Sequence, residues 1–576
     1  MDVYEREYEK WLRCGSLPKE LKDELLSLSD VDRISRFSHH MKFGTAGLRA
    51  KMGVGTSKMN IFTVAHATAA LAEMVVSNGD EAMRRGVVIA HDSRNNSRAF
   101  AERSAEVLSS YGIRAYLFDS LRPTPVLSFA IRELGCVAGI NITASHNAKE
   151  YNGFKAYSED GAQISREIAT TISDNMERLD IFDDVPSSDM AKPEFITVVG
   201  EELDEKYIEK VLAERVNPSA IPDIADSLEI VYTPLHGAGY RLVPEVLRRA
   251  GLKHLYTVDS QIEPDGDFPT LRYPNPEFPE AFEEGRRVAM RESSDLIIAT
   301  DPDSDRVGVM AKGAEDGFRC ITGNQMGALL LDYIITAYEA TGTMPPAPYA
   351  VKSIVTSEMA AKICAAHGVK MYNVLTGFKY IGEVIKRHEE KGFGSFIFGF
   401  EESYGYLKGT YARDKDAVVT SLLICEMAAY YKARGMTLSD ALERLFERYG
   451  SYAECSESVM IETPDPRETM ERTMAALRAD CPREIGGEKI VKMCDYKSGI
   501  AVDLVTGERS DTGLPASDVL SFVTEDGDNL VIRPSGTEPK IKIYVLASGE
   551  NTEAAISSAD DCLEAFKKIL KELNAL

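Results

Sequence analysis

The sequence predicts an α/β protein made of three related α/β segments followed by a smaller α+β domain. From residue 60 onward, short apolar runs alternate with longer helical patterns, which is typical of β-α-β units around a largely parallel sheet. The alternation starts again near Leu228, after a polar stretch over 180–226, and once more near Tyr349. After Gly450 the order changes to a helix, several short strand-like runs and a final helix over 552–574. This change predicts a separate C-terminal domain with antiparallel strands.

Length and composition exclude several classes of protein. At 576 residues the chain is too long for one hydrophobic core, and we expect about three to five domains. The formal net charge of −25 argues against nucleic acid or an anionic membrane surface as a partner. The nine cysteines include no C-x-x-C pair, which favours reduced thiols in a cytoplasmic protein over a disulfide framework or a zinc site. No signal-like N-terminus and no apolar run of about 18 residues occurs, so no membrane span is predicted.

The chain begins with charged segments that we expect to form helices over residues 1–40. Their candidate anchors in the core are Trp11, Leu21, Leu25 and Leu26. The segment 41–50 then places two glycines among small residues, so its backbone can approach a ligand closely. Arg49 at its end could bind a phosphate through its planar guanidinium. A plain turn is the alternative.

The first α/β segment is predicted element by element from its periodicity. We expect helices over 60–76, over 96–111 and after Pro125, and strands over 86–90, 113–118 and 137–140.

Ser145 follows the last of these strands and lies at the centre of a polar stretch over 141–155. Loops that leave a strand are where a rigid scaffold presents reactive groups. A serine hydroxyl needs a base, a metal or a positive environment to act as a nucleophile. His146 and Lys155 are close in sequence and could supply that help. On spacing alone, however, a solvated polar turn is favoured.

Three aspartates, Asp301, Asp303 and Asp305, follow an apolar strand of the second segment. Along an extended stretch, alternate side chains can gather around one hard cation, and carboxylate oxygens favour Mg²⁺ or Ca²⁺ over zinc. An EF-hand is excluded because Arg306 stands where that loop needs glycine, and Lys312 where it needs glutamate. A solvated acidic turn is the alternative. Since the apolar strand would point three charges at the functional edge of the sheet, we predict a metal site.

The third segment ends its strand over 395–400 with Glu401 and Ser403. If the backbone stays extended, these two side chains face the same way and could hold neighbouring hydroxyl groups of a sugar. Upstream, a small-residue turn contains Thr376, Gly377 and Lys379.

Downstream of this strand, the stretch 413–416 places Arg413 and Lys415 close in sequence to the candidate sugar loop. The alternative is that these charges only begin a helix over 416–434.

The last domain contains a candidate phosphate site at its strand-like run 529–532. The residues that follow provide a guanidinium, two hydroxyl groups and a glycine that lets backbone N–H groups turn inward, which is the chemistry of a phosphate-binding nest. These residues are Arg533, Ser535, Gly536 and Thr537. A hairpin turn is the alternative.

Five motifs in this order resemble those of the α-D-phosphohexomutase superfamily, the phosphoglucomutases and phosphomannomutases. They are F-G-T-A-G-L-R at 43–49, T-A-S-H-N at 143–147, D-P-D-S-D-R at 301–306, E-E-S-Y-G at 401–405 and R-P-S-G-T-E-P at 533–539. The likeness covers nearly the whole chain, and the N-terminal helices resemble in particular the bacterial phosphoglucomutase and glucose-1,6-bisphosphate synthase branch. Two departures are Ala148-Lys149, where the family usually has proline after T-A-S-H-N, and Phe400, where it usually has glycine.

The resemblance implies three related α/β domains and one α+β domain arranged around a central cleft. It implies that Ser145 carries a phosphoryl group and donates it to a hexose monophosphate. The bisphosphate so formed turns round and returns its other phosphate to Ser145. Mg²⁺ is then the expected cofactor, held by Asp301, Asp303, Asp305 and phosphoserine 145, with glucose-1,6-bisphosphate as activator and intermediate.

The resemblance also implies roles for the other motif residues. Phosphoserine and three aspartates together carry about −5 of charge, so one Mg²⁺ leaves about −3 for Arg306, Lys155 and Arg49 to balance. His146 and Lys155 are both candidates for proton transfer. The expected substrate-binding residues are Arg306, Thr376, Gly377, Lys379, Glu401, Ser403 and Lys415, and the expected phosphate-binding residues are Arg533, Ser535, Gly536 and Thr537.

Several alternatives stay open from the sequence. A phosphomannomutase, a phosphopentomutase or a hexose-bisphosphate synthase would have the same fold. A serine phosphatase would share the nucleophile and metal, and a non-catalytic sugar-phosphate sensor would share the binding loops. We expect small hexose phosphates as ligands, a monomer or weak homodimer, and a cytoplasmic location. The predicted domain limits are 1–215, 216–325, 326–455 and 456–576.

Overall fold

A computed structural model describes residues 2–313, 317–463, 465–535 and 539–573. The chain divides into two compact units. The first contains Met1–Ile321, Gly382–Phe396 and Tyr404–Thr437, and the second contains Thr322–Ile381, Ile397–Ser403 and Leu438–Leu576. Within the described ranges, no helix combines the length and the apolar character that crossing a membrane requires.

Three helices open the first unit and pack around Trp11, whose side chain is fully buried. They are α1 (Val3–Arg13), α2 (Lys19–Ser27) and α3 (Asp30–Phe37). The Trp11 ring makes edge-to-face contacts with Phe37, Phe62 and Phe182. Leu25 is buried as predicted, but Leu26 is 59% exposed, so its predicted role as an anchor is wrong. Adjacent residues of a helix point in different directions, and only one of the two leucines can face the core.

A six-stranded sheet forms the centre of the first unit, in the order β1-β5-β4-β2-β3-β6. Strands β2, β3, β4 and β6 run parallel, and β5 is antiparallel to both β4 and β1. The strands are β1 (Leu48–Lys51), β2 (Val87–His91), β3 (Ala115–Phe118), β4 (Ala138–Ile142), β5 (Tyr151–Ser158) and β6 (Ile196–Val199). The helices are α4 (Ile61–Ser77), α5 (Asp80–Arg85), α6 (Ser97–Ser110), α7 (Thr124–Leu134), α8 (Arg166–Arg178) and α9 (Glu201–Ala213). The predicted elements are present, and β6 and α9 lie inside the stretch that the sequence marks only as polar.

A five-stranded sheet of the same unit has the order β11-β10-β9-β7-β8. Its strands are β7 (Glu229–Thr233), β8 (His254–Thr257), β9 (Leu296–Thr300), β10 (Val307–Lys312) and β11 (Phe318–Ile321). The helices are α10 (Ala220–Asp223), α11 (Gly239–Arg249), α12 (Asp259–Ile262) and α13 (Glu283–Glu292). Strand β10 is antiparallel to β9 and β11, so residues 301–306 form the turn of a hairpin.

The second unit contains strands of a third sheet and a C-terminal antiparallel sheet. Its first part comprises α14 (Gly323–Thr341), β12 (Pro348–Ser353), α15 (Met359–Ala366), β13 (Lys370–Val374), the start of α16 (Phe378–Lys391) and most of β14 (Ser395–Glu401). Strands β12 and β13 are parallel. Strand β15 (Gly405–Leu407) and helix α17 (Ala417–Lys432) belong to the first unit.

The C-terminal sheet has the order β16-β23-β22-β21-β18-β19-β20, and β17 pairs with β18 outside this path. Its strands are β16 (Ser451–Met460), β17 (Glu484–Ile485), β18 (Glu488–Asp495), β19 (Ile500–Asp503), β20 (Arg509–Asp511), β21 (Leu520–Thr524), β22 (Asn529–Pro534) and β23 (Lys540–Gly549). The remaining helices of the second unit are α18 (Leu438–Tyr449), α19 (Pro466–Ala479) and α20 (Thr552–Glu572). Helices α19 and α20 contribute to one apolar core with this sheet, as predicted for an α+β domain. Two predicted domain limits, at 325/326 and 455/456, fall inside α14 and β16.

Candidate active site

Ser145 lies in the connection between β4 and β5, three residues beyond the fully buried strand end at Ile142. Its backbone is in the left-handed region, with a φ of 53°. Its N–H donates to Thr143 Oγ1 at 2.8 Å, and the residue is 2% exposed. A left-handed serine is a strained conformation that surrounding contacts must hold, and such residues concentrate at functional sites. The turn therefore presents the hydroxyl in a fixed direction.

The Ser145 hydroxyl meets the aspartate loop directly. Its Oγ donates to Asp301 Oδ2 at 2.8 Å and lies 3.0 Å from His146 Nδ1. The structure thus brings together three side chains that the sequence singled out separately. His146 is half-buried. Enclosure of its ring and the charges of Arg306 and Arg49 lower its pKa well below the usual value, so the imidazole is neutral at physiological pH.

The three predicted metal ligands form one buried cluster. Asp301 and Asp303 are fully buried and Asp305 is 2% exposed. One oxygen from each lies within 4.8 Å of the others. The sequence suggested an extended stretch here, but the structure differs. Ser304 has a φ of 50° and closes a tight turn. Asp301 Oδ1 accepts the N–H groups of Asp305 at 3.1 Å and of Arg306 at 3.0 Å, and these bonds fix the turn.

The oxygens of this cluster fit a hard cation. Asp303 Oδ1 and Asp305 Oδ1 are buried and have no hydrogen-bond partner among the described residues. A buried carboxylate oxygen without a partner is costly, and an oxygen-binding cation would satisfy both. The donor set therefore fits a divalent metal ion.

Two lysines approach the cluster. Lys155 Nζ lies 2.8 Å from Asp303 Oδ2 and 3.5 Å from Asp305 Oδ2, and Lys415 Nζ lies 3.3 Å from Asp305 Oδ2. Burial favours the neutral form of Lys155, but the charges of Asp303 and Asp305 outweigh it and raise the pKa of the ammonium. Burial likewise favours protonated Asp305, yet Lys415 and Lys155 hold the pKa of that carboxyl below its usual range. Charges of opposite sign are thus stabilised together.

The position of Lys415 answers a question that the sequence left open. Asp416 caps helix α17 by accepting the N–H groups of Val418 and Val419, so the charged helix start is real. Lys415 nevertheless turns to Asp305, with its stem packed on Gly405. A Cβ at position 405 would lie 2.0 Å from Lys415 Cδ, so any other residue there would displace the lysine side chain from this position.

Arg306 and Arg49 border the same cluster. Arg306 pairs with Glu277, and its Nε lies 3.8 Å from Asp305 Oδ1. Arg49 lies in strand β1, not in a loop as the sequence suggested, and is exposed. Its Nη1 donates to Asn147 Oδ1 at 3.1 Å, which places the guanidinium beside the serine loop.

Thr124 and Asn141 are contacts of this site that sequence reasoning missed. Thr124 Oγ1 donates to Asp303 Oδ2 at 2.9 Å, and its N–H donates to Asp303 O at 2.8 Å. Asn141 Nδ2 donates to Thr124 Oγ1 at 2.8 Å. The available signal was that Thr124 follows a strand end and starts a helix, as do residues at functional sheet edges.

In the second unit, Glu401 ends β14 and is buried. Its Oε1 accepts the N–H of Gly377 at 2.6 Å, so the predicted sugar loop and the turn at 376–377 are in contact. The backbone does not stay extended, because residues 402–404 form a turn and Tyr404 has a φ of 64°. The prediction that Glu401 and Ser403 face the same way by strand alternation is therefore wrong.

The turn before α16 is shorter than predicted. Thr376 and Gly377 lie in it, and Gly377 has a φ of 124° that glycine adopts readily. Lys379 lies instead in the first turn of α16, with its Nζ 4.9 Å from the centre of the Tyr380 ring.

Phe400 is accommodated by a glycine on another element. A Cβ at Gly327 of α14 would lie 2.1 Å from two atoms of the Phe400 ring. The absence of a side chain at Gly327 thus leaves space for the ring, and Phe400 is fully buried. The substitution of the usual glycine is compensated in the core and leaves Glu401 at the strand end.

The predicted phosphate loop joins β22 to β23. Arg533 is half-buried in β22, opposite Lys542 of β23, and Ser535 donates its N–H to Lys540 O at 2.8 Å. Gly536 and Thr537 lie outside the described residues. A hairpin is therefore present, and it carries the Arg533 guanidinium at its end.

Comparison with known proteins decides the family. Four successive segments match models of the phosphoglucomutase/phosphomannomutase domains: α/β/α domain I over 40–181, domain II over 205–314, domain III over 322–449 and the C-terminal domain over 489–559. The chain belongs to the phosphoglucomutase/phosphomannomutase family. It is accordingly an enzyme of the phosphotransferase and isomerase type, built from three α/β/α domains and a C-terminal domain.

Individual relatives agree with this assignment to the phosphoglucomutase/phosphomannomutase family. A phosphoglucomutase of Staphylococcus epidermidis is 37% identical over 525 residues, which cover 91% of this chain and 93% of that protein. Among solved structures, a phosphomannomutase described as putative from Thermus thermophilus has a TM-score of 0.66 at 22% identity, covering 92% of this chain and 99% of that one. Parafusin, a phosphoglucomutase from Paramecium, has a TM-score of 0.65 at 16% identity, covering 93% and 96%. These two structures show the shared fold.

Proposed function

We propose that this chain is a phosphoglucomutase that interconverts glucose-1-phosphate and glucose-6-phosphate. Ser145 is the phosphoryl carrier, and glucose-1,6-bisphosphate is the bound intermediate and activator. The observation that carries the proposal is the 2.8 Å contact of Ser145 Oγ with Asp301, which joins a nucleophile to a buried aspartate cluster. The name of the Staphylococcus epidermidis relative supports glucose over mannose or pentose as the sugar.

We assign Mg²⁺ to the cluster of Asp301, Asp303 and Asp305, with Ser145 as the fourth ligand in its phosphorylated form. Carboxylate and phosphoryl oxygens are the donors that Mg²⁺ prefers. When bound, the ion supplies positive charge that stabilises the phosphoryl group during its transfer.

The residues around Ser145 carry the rest of the reaction. When phosphoserine donates, the bond from phosphorus to Oγ breaks, a bond to the sugar oxygen forms, and one proton moves in net from the sugar hydroxyl to Oγ. His146 Nδ1, 3.0 Å from Oγ, is the group in position to exchange that proton with the serine oxygen. Lys155 stays charged between Asp303 and Asp305 and offsets negative charge in the transfer step.

The remaining motif residues are assigned to binding. Arg49 and Arg306 face the transferred phosphoryl group and complete the charge balance, with Lys415 beside them at Asp305. The sugar is assigned to Thr376, Gly377, Lys379, Glu401 and Ser403. The phosphate that does not react is assigned to Arg533 and Ser535, together with Gly536 and Thr537 outside the described residues. Binding energy from these remote groups then supports the transfer step.

A serine phosphatase is the competing function. It would use the same nucleophile and metal site, but it would have no reorientation step and no use for a second phosphate site. Retention of both a sugar loop and an arginine-bearing hairpin in this chain favours the mutase.

The test is whether one serine carries a phosphoryl group that glucose phosphates exchange. Intact-mass measurement after incubation with glucose-1,6-bisphosphate should show one phosphoryl group per chain, located at Ser145 by peptide mapping. A coupled assay should then show conversion of glucose-1-phosphate that needs catalytic amounts of the bisphosphate, with mannose-1-phosphate as the specificity control. Release of inorganic phosphate in place of glucose-6-phosphate would contradict the mutase assignment. A cytoplasmic location and a monomer or weak homodimer remain predictions.

A further inference from the structure

The buried guanidinium of Arg94 binds backbone carbonyl oxygens along most of the serine loop. It follows strand β2, and its side chain is completely buried. Its Nη1 donates to the carbonyl oxygens of Ala148 at 2.9 Å and Tyr151 at 3.1 Å. Its Nη2 donates to the carbonyl oxygens of Ser145 at 2.5 Å and Asn147. Four backbone carbonyls of the loop thus converge on one side chain outside it.

Arg94 is itself held from several sides. Its N–H donates to Asp92 Oδ1 at 2.9 Å, and the same oxygen accepts the Ser97 hydroxyl at 2.8 Å. Its Nε lies 3.3 Å from Asp92 Oδ2, and both side chains have no exposed surface. The guanidinium carbon lies 5.1 Å from the centre of the ring of Phe268, a residue in the connection between α12 and α13. These contacts hold the Arg94 guanidinium in one position, from which it can orient the serine loop.

The loop needs such a support because Ser145 has a left-handed backbone. Its own turn bonds are few: Ser145 donates its N–H to Thr143 Oγ1 at 2.8 Å, Asn147 to Ala144 O at 3.2 Å, and Tyr151 to Ala148 O at 3.1 Å. A planar guanidinium offers five donors in a fixed arrangement, whereas an ammonium group is a point charge with three. Arginine is therefore suited to gather several carbonyl oxygens in one plane, and lysine cannot replace it.

We propose that Arg94 is the positioning residue that fixes the Ser145 hydroxyl in the direction required for phosphoryl transfer. This inference rests on the proposed function. Arg94 contacts only the backbone of the loop, so it acts through Ser145 and does not touch the substrate. Its loss should slow both gain and loss of the phosphoryl group without weakening the binding of the sugar phosphate.

The experiment compares Arg94→Lys with Arg98→Lys, a matched control four residues away. Arg98 is exposed on α6, where it donates to Glu102 and to Asp119 O. A shift of about 1 Å in a reacting group costs about 100-fold in rate, so Arg94→Lys should lower kcat by about 100-fold with KM within about twofold of the parent. The rate of Ser145 phosphorylation by glucose-1,6-bisphosphate should fall equally. Arg98→Lys should match the parent in both.

Chemical rescue distinguishes a positioning role of Arg94 from a general effect on the stability of the fold. Added guanidinium ion should restore part of the phosphorylation rate of Arg94→Ala, and ammonium ion at the same concentration should not. A folded Arg94→Lys with parental kcat, or a rise in KM at unchanged phosphorylation rate, would overturn the inference. If the Arg94 variants do not fold, Phe268→Leu decides: a lower kcat at unchanged KM supports the inference, and parental kcat overturns it.

The parent enzyme is measured first in the same phosphorylation assay. If it takes up no phosphoryl group, the proposed function fails and this inference fails with it. If the parent is phosphorylated and the Arg94 variants match it, only the inference fails.

Discussion

Two groups of buried or partly buried carboxyls show how differently this fold treats negative charge. In the first unit, Asp301, Asp303 and Asp305 lie together with almost no exposure, and Lys155 and Lys415 contact them. The lysines hold the pKa of Asp305 below its usual range although burial acts in the opposite direction. At Asp305, negative charge is therefore kept in the interior by cations that the fold supplies, whereas burial and the neighbouring Asp303 raise the pKa of Asp301 well above its usual value.

In the second unit, two glutamates are partly buried, and no nearby cation outweighs the effect of burial on their pKa values. Burial raises the pKa of Glu402 to about 7, against the smaller effect of Lys542. Glu402 accepts the Ser353 hydroxyl at 3.0 Å. Burial likewise raises the pKa of Glu454 to about 7, where Ser357 and Asn324 hydrogen-bond its side chain. These carboxyls titrate near neutral pH.

The comparison shows that burial without a cation favours the neutral form of a carboxyl group. A buried carboxylate that neighbouring cations keep charged is therefore a candidate functional group. We expect substitutions in the first group to affect the transfer step. Substitutions in the second unit should affect affinity or the dependence of stability on pH.

The largest effect should come from Ser145→Ala, which removes the phosphoryl carrier. Loss of a covalent nucleophile lowers turnover by about 10⁴- to 10⁶-fold, and the small side chain should leave the fold intact. The measurement is mutase turnover together with intact mass, with Ser110→Ala on α6 as the matched control. Near-normal turnover in a folded Ser145→Ala protein would rule out the phosphoserine mechanism.

Asp303→Asn should have the next largest effect, because it removes one charged oxygen from the metal cluster and the partner of Lys155. We expect turnover to fall by about 10²- to 10³-fold, and the Mg²⁺ concentration needed for half-maximal turnover to rise because the ion binds more weakly. A Mg²⁺ titration of turnover tests this, with the exposed Asp189→Asn as control. If Asp303→Asn has the parental titration curve, Asp303 is not a ligand.

The parts of the site that the sequence predicts are those carried by one continuous motif at a strand end. Ser145 with the T-A-S-H-N turn, and the aspartates 301–305, could be found because each strand and loop are adjacent in the chain. The α/β pattern likewise predicts most elements of the first sheet, because apolar periodicity is local.

The parts that it misses depend on residues far apart in the chain. Thr124 reaches Asp303 across 179 positions, and no local pattern records that contact. The direction of Ser403 depends on the turn that residues 402–404 form, which a strand alternation rule cannot anticipate. The compensation of Phe400 by Gly327 is a matter of packing between elements, and it too becomes visible only in three dimensions.

Glu454→Gln should sharpen the contrast between the two groups of carboxyls. The pKa of folded Glu454 is raised from 4.5 to about 7, so the folded state keeps a proton that the unfolded state has lost. The free energy of unfolding therefore falls as pH rises between these values, by about 3 kcal/mol for this group. The glutamine variant should lose this dependence and gain stability relative to the parent as pH rises.

Thermal unfolding of both proteins at about pH 5 and about pH 8 measures the effect. Glu457→Gln is the control on the same strand, since Glu457 is 40% exposed and pairs with Lys567 at 3.0 Å. A constant difference in Tm between Glu454→Gln and the parent at both pH values would contradict the expected titration.

The smallest effect should come from Arg533→Ala, and it concerns binding at the phosphate that does not react. Loss of a charge-assisted hydrogen bond to phosphate costs about 1.5–3 kcal/mol, or about ten- to a hundredfold in affinity. KM for glucose-1-phosphate should rise accordingly, while the initial phosphorylation of Ser145 at saturating bisphosphate changes little. The bisphosphate should also escape more often before it turns round, so turnover should require more added glucose-1,6-bisphosphate.

Arg509→Ala, which changes an exposed arginine of the same sheet, is the matched control. A phosphatase has no reorientation step, and in a phosphatase the substitution would leave the bisphosphate requirement unchanged. If Arg533→Ala matches the parent in KM and in bisphosphate requirement, the hairpin at 533–540 is only a turn, and the contrast between a transferring and a binding region fails.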